Sequence, residues 1–166
     1  HLSQFNPDGF DLNMGWPDPR LVKRGGGAKL VENIEIAQQI INACRKATKL
    51  PITVKLRYGN DENKEHIINF SKMLENEGCD AITIHGRTIS EYLTRTARWE
   101  FVTYLKNNLK IPVIGNGDIK TKEDIIKRFN ECNCDGIMIG REAIRRPWIF
   151  REYKSDILAP IDYQDC

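Results

Sequence analysis

The sequence predicts an α/β fold built on parallel strands. Segments with the β-branched pattern of strands alternate with segments that carry the apolar spacing of helices, from one end of the chain to the other. Such a succession of β/α units is typical of parallel sheets with right-handed helical crossovers. Two further observations refine the prediction: the turns before the strands alternate in type, and polar residues follow every strand.

The individual elements follow from local patterns. Short strands rich in branched and apolar residues are predicted at 10–14, 51–57, 81–85, 111–115 and 136–139. Helical spacing between them predicts helices at 34–47, 64–77 and 99–108. A further helix begins after Thr121, because Asp124 stands at the capping-box distance from it. Gly78 ends the second helix, and Pro147 is placed in the first turn of a short final helix.

The turns before the strands fall into two alternating types. The first, third and fifth strands follow an aspartate and a small residue, at 8–9, 80–81 and 135–136, whereas the second and fourth follow Pro51 and Pro112. Different odd and even strands are expected of a barrel whose inner layers draw side chains from alternate strands. We therefore predict a (β/α)8 TIM barrel rather than an open doubly wound sheet.

About five β/α units cannot close an eight-stranded barrel, which takes about 250 residues. The chain of 166 residues is therefore expected to be a fragment, with a partial barrel over 1–154 and a C-terminal extension over 155–166. Its cut edges are expected to expose apolar surface.

Composition is that of an ordinary globular protein, with 40% apolar residues, 29% charged residues and a net charge of +2. No apolar run approaches about 20 residues, the length of a membrane span, so no membrane association is expected. The five cysteines show no framework spacing, and Cys132 and Cys134 lack a second pair of metal ligands. We expect a cytoplasmic protein without a bound metal.

Basic residues cluster in the loops that follow the predicted strands, although the net charge is small. A basic face at this edge would suit a polyanion, whereas the alternative is a scatter of solvated charges. The residues concerned are Arg20, Lys23, Arg24, Arg57, Arg87, Arg95, Arg98, Arg141, Arg145 and Arg146.

The segment 7–31 combines a strand, a Gly-Trp-Pro turn and a basic loop that ends in three consecutive glycines. Glycines in such number permit positive φ and a close approach of the backbone to a ligand, which favours a binding rim. The alternative is a long surface connection in which glycine is merely tolerated.

Polar residues stand at the carboxyl end of each predicted strand, where barrel enzymes gather their catalytic groups. Because strand side chains alternate between faces, Lys55 and Arg57 share one side, as do His85 and Arg87. The alternative for a lone strand histidine is a structural role. The strand-end set comprises Asn13, Lys55, Arg57, His85, Arg87, Asn116, Asp118 and Arg141.

Two of these strand ends have sequences that favour the binding of an anion. Gly115 and Gly117 bracket Asn116, and Arg141 follows Gly140. Backbone N–H groups and a guanidinium can converge there on a phosphate, which barrels often bind after their last strands. Substrate phosphate and cofactor phosphate both fit this pattern.

Taken in series, several segments resemble the tRNA-dihydrouridine synthase family. The similarity covers residues 8–152, in the family's order and near its spacing; single motifs such as 114–118 are weak, whereas the series is specific. The matching segments are 11–17, 25–28, 53–57, 83–88, Trp99, 114–118 and 134–141, followed by Pro147 and Trp148.

The resemblance implies a TIM-barrel oxidoreductase that uses FMN and NADPH to reduce uridine in tRNA to 5,6-dihydrouridine. It implies that Lys55 and His85 face the flavin ring, where a cation stabilises the anionic reduced form. The residues implied to hold the ribityl phosphate are Asn116, Gly117, Asp118, Gly140 and Arg141. Those implied to line the pocket for the flipped uracil or its phosphates are Asn13, Arg57 and Arg87. The implied partner is tRNA, and a monomer is expected.

The chain departs from the family at Trp16, which stands between Gly15 and Pro17 where the family has its proton-donating cysteine. An indole N–H is far too weak an acid for that transfer, so Trp16 is not expected to be a competent catalytic residue. The protein then reduces uridine poorly or reduces another substrate, and Trp16 can instead stack on a base. The alternative functions are an FMN barrel oxidoreductase acting on a small substrate and a catalytically inactive tRNA-binding relic.

Overall fold

The centre of the molecule is one five-stranded sheet whose strands are all parallel and lie side by side in the order of the sequence. The computed structural model describes residues 2–59, 63–91 and 94–154. The predicted parallel α/β architecture is confirmed, and the predicted extension at 155–166 lies outside the described residues. The strands are β1 (Phe10–Met14), β2 (Ile52–Arg57), β3 (Ala81–His85), β4 (Val113–Asn116) and β5 (Gly136–Met138).

Helices connect the strands in the predicted alternation. Among the described residues they are α1 (Pro19–Lys23), α2 (Ile34–Ala47), α3 (Lys64–Asn76), α4 (Glu100–Lys106), α5 (Lys122–Cys132), α6 (Arg141–Arg145) and α7 (Ile149–Lys154), with 3-10 helices at Leu2–Phe5 and Gly27–Glu32. The predicted capping box of α5 is present. Pro147 lies in the turn before α7 rather than in its first turn.

Helix α1 occupies part of the predicted basic loop after β1. It forms there because Asp18 caps its first turn by accepting the amide of Arg20 at 2.9 Å, and because Pro19 fills the first helical position. A helix of five residues lies below the length at which apolar spacing is informative.

Strand β4 begins two residues later than predicted, because the amides just before it are bound elsewhere. A carboxylate oxygen of Glu75 accepts the amides of Lys110 at 2.7 Å and Ile111 at 3.0 Å. The next residue, Pro112, has no N–H to offer to the sheet. The ladder therefore starts at Val113.

One face of the sheet packs against the helices to form the core. Val54 and Ile82 are fully buried on this face, and they lie in one cluster with Ile41, Phe70 and Leu105 from the surrounding helices. Burial of each such side chain contributes about 1.5–3 kcal/mol. This face therefore fixes the register of the strands and the position of their carboxyl ends.

The opposite face carries polar side chains on β1, β2 and β3. Thr53 donates its hydroxyl to a carboxylate oxygen of Asp11 at 2.6 Å, across the directly opposed pair of β1 and β2. Lys55 lies two residues further along the same face. This face therefore leads to the cluster of polar side chains at the carboxyl edge of the sheet.

Aspartates before β3 and β5 clamp the opposite, amino-terminal edge. A carboxylate oxygen of Asp80 accepts the amide of Ile52 at 2.7 Å, while the Asp80 amide donates to the Ile52 carbonyl at 2.8 Å. Asp135 makes the same pair of bonds with Val113, at 2.8 Å and 2.9 Å. Each aspartate thus ties the start of its own strand to the start of the preceding one.

The described residues contain neither a membrane-spanning helix nor a metal-binding cluster, and their cysteines are not paired. None of the helices there is both long and apolar enough to cross a membrane. No group of three or more His, Cys, Asp or Glu side chains in the same ranges is arranged to hold a metal ion. Cys44, Cys79, Cys132 and Cys134 are free thiols, and burial raises the pKa of the Cys79 thiol to about 11.

Candidate active site

The carboxyl ends of the strands meet at a cavity of about 510 Å³, a size typical of small-molecule sites. The predicted site residues that line it are Asn13, Trp16, Lys55, Arg57, His85, Asn116, Gly117, Asp118, Gly140 and Arg141. The predicted clustering of these side chains at one edge is therefore present, and the role of each residue stays a prediction.

His85 ends β3 and is buried, with 9% of its surface exposed. Its Nδ1 has no hydrogen-bond partner among the described residues. Burial, followed by repulsion from Arg57 and Lys55, lowers the pKa of the ring to about 3. A neutral imidazole with an unpartnered buried nitrogen indicates a place for a polar ligand atom.

Lys55 and Arg57 bring positive charge into the cavity from β2. Burial lowers the pKa of the Lys55 ammonium, Arg57 lowers it further, and Asp11 opposes this shift. The Arg57 guanidinium is largely buried, and its Nη1 donates to the carbonyl of Thr88 at 3.1 Å. The two cations favour a ligand that carries or develops negative charge beside them.

The segment after β4 is held in place by Asn116 and by the indole of Trp99. Asn116 donates its side-chain amide to the Met138 carbonyl at 2.8 Å. Trp99 donates Nε1 to the Gly117 carbonyl at 3.1 Å, and a Cβ at Gly115 would lie 2.2 Å from the Trp99 ring. Only glycine therefore leaves room for the indole that supports this segment.

Asp118 joins the loops that follow β3, β4 and β5. Its carboxylate accepts two bonds from Arg87 Nη2, at 2.9 and 2.7 Å, one from the Ala97 amide at 2.8 Å and one from Arg141 Nη2 at 3.2 Å. Burial raises the pKa of this carboxyl, but the Ala97 and Arg87 bonds outweigh burial and leave the pKa below its usual range. Asp118 is therefore an ionised carboxylate that holds cations, and its own φ is +54°.

Arg87 lies apart from the other predicted site residues. It does not line the cavity, only 3% of its side chain is exposed, and its guanidinium contacts Asp118 and the Arg95 carbonyl. Its partner could not be foreseen, because Asp118 faces Arg87 only through a left-handed backbone turn. The structure thus gives Arg87 an internal ion pair.

The predicted basic face is only partly available to a ligand. Arg57 and Arg87 are buried, and Arg98 pairs with Glu91 at 2.8 Å. More than half of the side chain is exposed at Arg20, Arg95, Arg141 and Arg145, and Lys23 and Arg24 are exposed as well. The basic residues singled out from the sequence therefore include buried members and exposed members, and exposed ones such as Arg20 and Arg141 are themselves paired with Asp18 and Asp118.

The segment 7–31 contributes to the cavity through its turn rather than through its three glycines. Gly15, Trp16 and Pro17 line the cavity, with Trp16 56% exposed. Gly27 instead packs beneath this turn, at φ +55°, where a Cβ would lie 2.5 Å from the Trp16 carbonyl oxygen. The segment is therefore a binding rim at its Gly-Trp-Pro turn, whereas its glycines do not line the cavity. Gly27 instead allows the chain to pack closely beneath this turn.

The sequence predicts Arg141 of α6 at the site and Arg145 on the basic face, but it does not predict Glu142 or Lys120. Glu142 and Arg145 line the cavity beside Lys120, and Glu142 is 8% exposed. Their i, i+3 spacing on a short helix is a weak signal. Ile119 and Met138 also line the cavity and were not predicted.

Solved structures share the fold of this chain at low sequence identity. YagE from E. coli K12, a prophage protein of the dihydrodipicolinic acid synthase family, matches with a TM-score of 0.54 at 16% identity, over 82% of this chain and 44% of that one. The YdjI aldolase from Escherichia coli K12 matches with a TM-score of 0.52 at 15% identity, over 95% and 54%. Together with the five parallel β/α units, these likenesses identify the chain as a fragment of a TIM barrel.

Curated relatives are much closer in sequence. The probable tRNA-dihydrouridine synthase of Mycobacterium tuberculosis (strain CDC 1551 / Oshkosh) is 39% identical over 149 residues, which cover 87% of this chain and 38% of the relative. The tRNA-dihydrouridine synthase B of Pseudomonas aeruginosa is 34% identical over 143 residues, covering 86% and 43%. The chain spans about two-fifths of the length of these relatives.

The sequence profile of the family described as "Dihydrouridine synthase (Dus)" matches residues 3–164, nearly the whole chain. The segments that carried the resemblance include the cavity residues of β2, β3 and β4. The chain therefore belongs to the dihydrouridine synthase family.

Proposed function

We propose that this chain forms the flavin-binding part of a cytoplasmic enzyme that reduces uridine in tRNA to 5,6-dihydrouridine with FMN and NADPH. The observation that carries the proposal is the convergence of Lys55, His85, Asn116 and Arg141 on one cavity from separate strand ends. Membership of the family and the names of the curated relatives support the same chemistry.

The cavity residues fit FMN. His85 offers a buried Nδ1 without a partner among the described residues, which suits a polar atom of a flat ring system. Lys55 lines the same cavity as a cation, and Arg141 is a guanidinium suited to the ribityl phosphate. When bound, FMN supplies the hydride that reduces a carbon–carbon double bond.

The chain's own residues then have distinct tasks. Lys55 would place a positive charge beside the flavin ring, where negative charge develops on reduction. Neutral His85 would offer a hydrogen bond without adding charge. Asn116, Gly117, Gly140 and Arg141 form the wall assigned to the phosphate, and Asn13 and Arg57 line the part assigned to the uracil. Asp118 and Arg87 are assigned to holding this wall, because they bind each other and Asp118 also holds Arg141.

A uridine in folded tRNA has to leave its stack to enter a cavity at the strand ends. The exposed side chains of Arg20, Arg95, Arg141 and Arg145 lie on segments that follow the strands, and they suit the RNA backbone. A small free substrate would not require such cations, so this feature favours tRNA over a small-molecule oxidoreductase.

Trp16 favours a second candidate function, a protein that binds FMN and tRNA but reduces uridine slowly. Saturation of the uracil ring needs a proton at C5 as well as a hydride at C6, and none of the described residues lining the cavity is a cysteine. Loss of a general acid costs about 10²- to 10⁴-fold in rate.

Two measurements on the full-length protein test these candidates. Flavin absorbance of the purified protein is expected, and a colourless protein that does not bind added FMN would refute the proposal.

Trp16→Cys, assayed with NADPH on unmodified tRNA, is expected to form dihydrouridine about 10²- to 10⁴-fold faster than the wild type. Trp16→Ser, which opens the same space without a thiol, is the matched control and should show no such gain. Equal rates for the Cys and Ser variants would show that a missing proton donor does not limit this chain.

A further inference from the structure

We propose that Trp16 is a stacking platform for one nucleobase of the RNA at the mouth of the cavity. This inference rests on the proposed function and names a contact that the chain makes with its RNA. The Trp16 indole lines the cavity, yet 56% of the residue is exposed. Trp99, in contrast, is 4% exposed and donates its Nε1 to the Gly117 carbonyl. The chain thus uses the Trp99 indole as structural support and presents the Trp16 indole at the site.

The backbone that carries Trp16 is firmly held. The Trp16 carbonyl accepts the amide of Ala28 at 2.9 Å. Gly27 packs so closely beneath it that a Cβ there would lie 2.5 Å from the same oxygen, and a Cβ at Gly15 would lie 2.9 Å from the carbonyl carbon of Leu56. A platform that is fixed before binding loses little conformational entropy when a ring stacks on it.

The surroundings of the indole suit a nucleic acid. Two exposed cations, Lys120 and Arg145, line the same cavity. An aromatic face beside several cations is the combination that holds single-stranded RNA, because bases stack on the ring while phosphates meet the cations. An indole cannot act as the proton donor, so contact is the role left to Trp16.

Dissociation constants of the full-length protein for an unmodified tRNA transcript and for FMN test the platform. Trp16→Ala is expected to raise the Kd for tRNA about 5- to 150-fold and to leave the Kd for FMN unchanged. Trp16→Phe keeps an aromatic face and is expected to keep most of the affinity. Phe150→Ala removes an aromatic side chain that is 50% exposed and does not line the cavity, so it is the matched control and should change neither constant.

The outcomes separate this inference from the proposed function. An unchanged tRNA Kd in Trp16→Ala would overturn the platform. If Trp16→Ala weakens FMN binding as much as it weakens tRNA binding, the platform is also overturned, because the indole then packs on the flavin. A wild-type protein that binds tRNA but no FMN contradicts the proposed enzyme. The tRNA Kd of Trp16→Ala then still decides whether Trp16 is a stacking platform. A wild-type protein that binds no tRNA contradicts both.

Discussion

The chemistry of His85 is set by the side chains that surround it. Burial lowers the pKa of its ring from 6.5 to about 3, with further lowering by Arg57, Lys55 and Arg87, while Asp118 opposes them. The ring is therefore neutral at physiological pH. A neutral ring beside several cations can bind a polar ligand atom without adding to their mutual repulsion.

The shift in His85 predicts how stability depends on pH. The unfolded chain takes up a proton on this residue near pH 6.5, whereas the folded chain does so only at about pH 3. Between these values the unfolded state binds more protons, so the free energy of unfolding is expected to fall as the pH decreases from 6.5 towards 3. Urea unfolding at several pH values measures this dependence, and imidazole NMR is expected to show an unprotonated His85 ring down to about pH 5.

His85→Gln is the control for both measurements. It identifies the His85 resonance by its disappearance, and it should remove part of the pH dependence below 6.5. A titration midpoint near 6.5 in the folded protein would contradict the burial and charge environment described for this ring.

Residue patterns predicted most of the site but not its internal ion pairs. Lys55, His85 and Asn116 could be foreseen because alternation along a strand and the strand ends of a barrel fix where such side chains go. The Arg87–Asp118 pair could not be foreseen, because it requires the left-handed turn at Asp118 and the position of Ala97. Such contacts depend on loop conformation, which local patterns leave open.

At the scale of whole elements, the alternation of turn types predicted the correct fold for an incomplete reason. The alternation of turns is expected from alternate side-chain layers inside a barrel. The observed contacts instead give two of the aspartates in these turns a role at the amino-terminal edge of the sheet. There, Asp80 and Asp135 clamp the starts of β2 and β4 and also pair with basic residues of α2 and α4, Arg45 and Lys106, each at 2.7 Å. Each of these two aspartates thus links a helix to the start of the strand that follows it and to the start of the next strand.

The Asp135 clamp yields a stability prediction. Asp135→Ala leaves the amide of fully buried Val113 without its carboxylate acceptor and removes the Lys106 pair. We expect the free energy of unfolding to fall by about 1–3 kcal/mol, because a buried donor is left unsatisfied. Urea denaturation measures this loss. Asp135→Asn keeps an acceptor oxygen and should lose less.

A matched surface variant separates the clamp from simple loss of charge. Glu131 is 44% exposed and pairs with Arg128 at 2.7 Å on the outer side of α5. Glu131→Gln is expected to cost about 0–1 kcal/mol, as surface ion pairs do. Equal losses in Asp135→Ala and Glu131→Gln would show that the strand clamp contributes nothing beyond an exposed pair.

For the molecule as a whole, net charge and residue counts describe the basic face poorly. The ten basic residues singled out from the sequence include side chains buried in internal contacts, such as Arg57 and Arg87. Only tertiary contacts separate these from exposed cations such as Arg145. The predicted basic edge stays a prediction, and its positive charge depends on the exposed members.

That distinction gives a prediction for tRNA binding by the full-length protein. Arg145 is 78% exposed, lines the cavity and lies 3.9 Å from its partner Glu142, so it is free to meet a phosphate. Arg145→Gln is expected to weaken tRNA binding and to reduce the slope of log K against log salt concentration by about 0.7–0.9, the contribution of one phosphate contact. Lys127→Gln, on α5 with 61% of its side chain exposed and outside the cavity, is the matched control for removal of one positive charge. If the two variants change the slope equally, the RNA is attracted by overall charge rather than held at this edge, and the cavity mouth is not where its backbone lies.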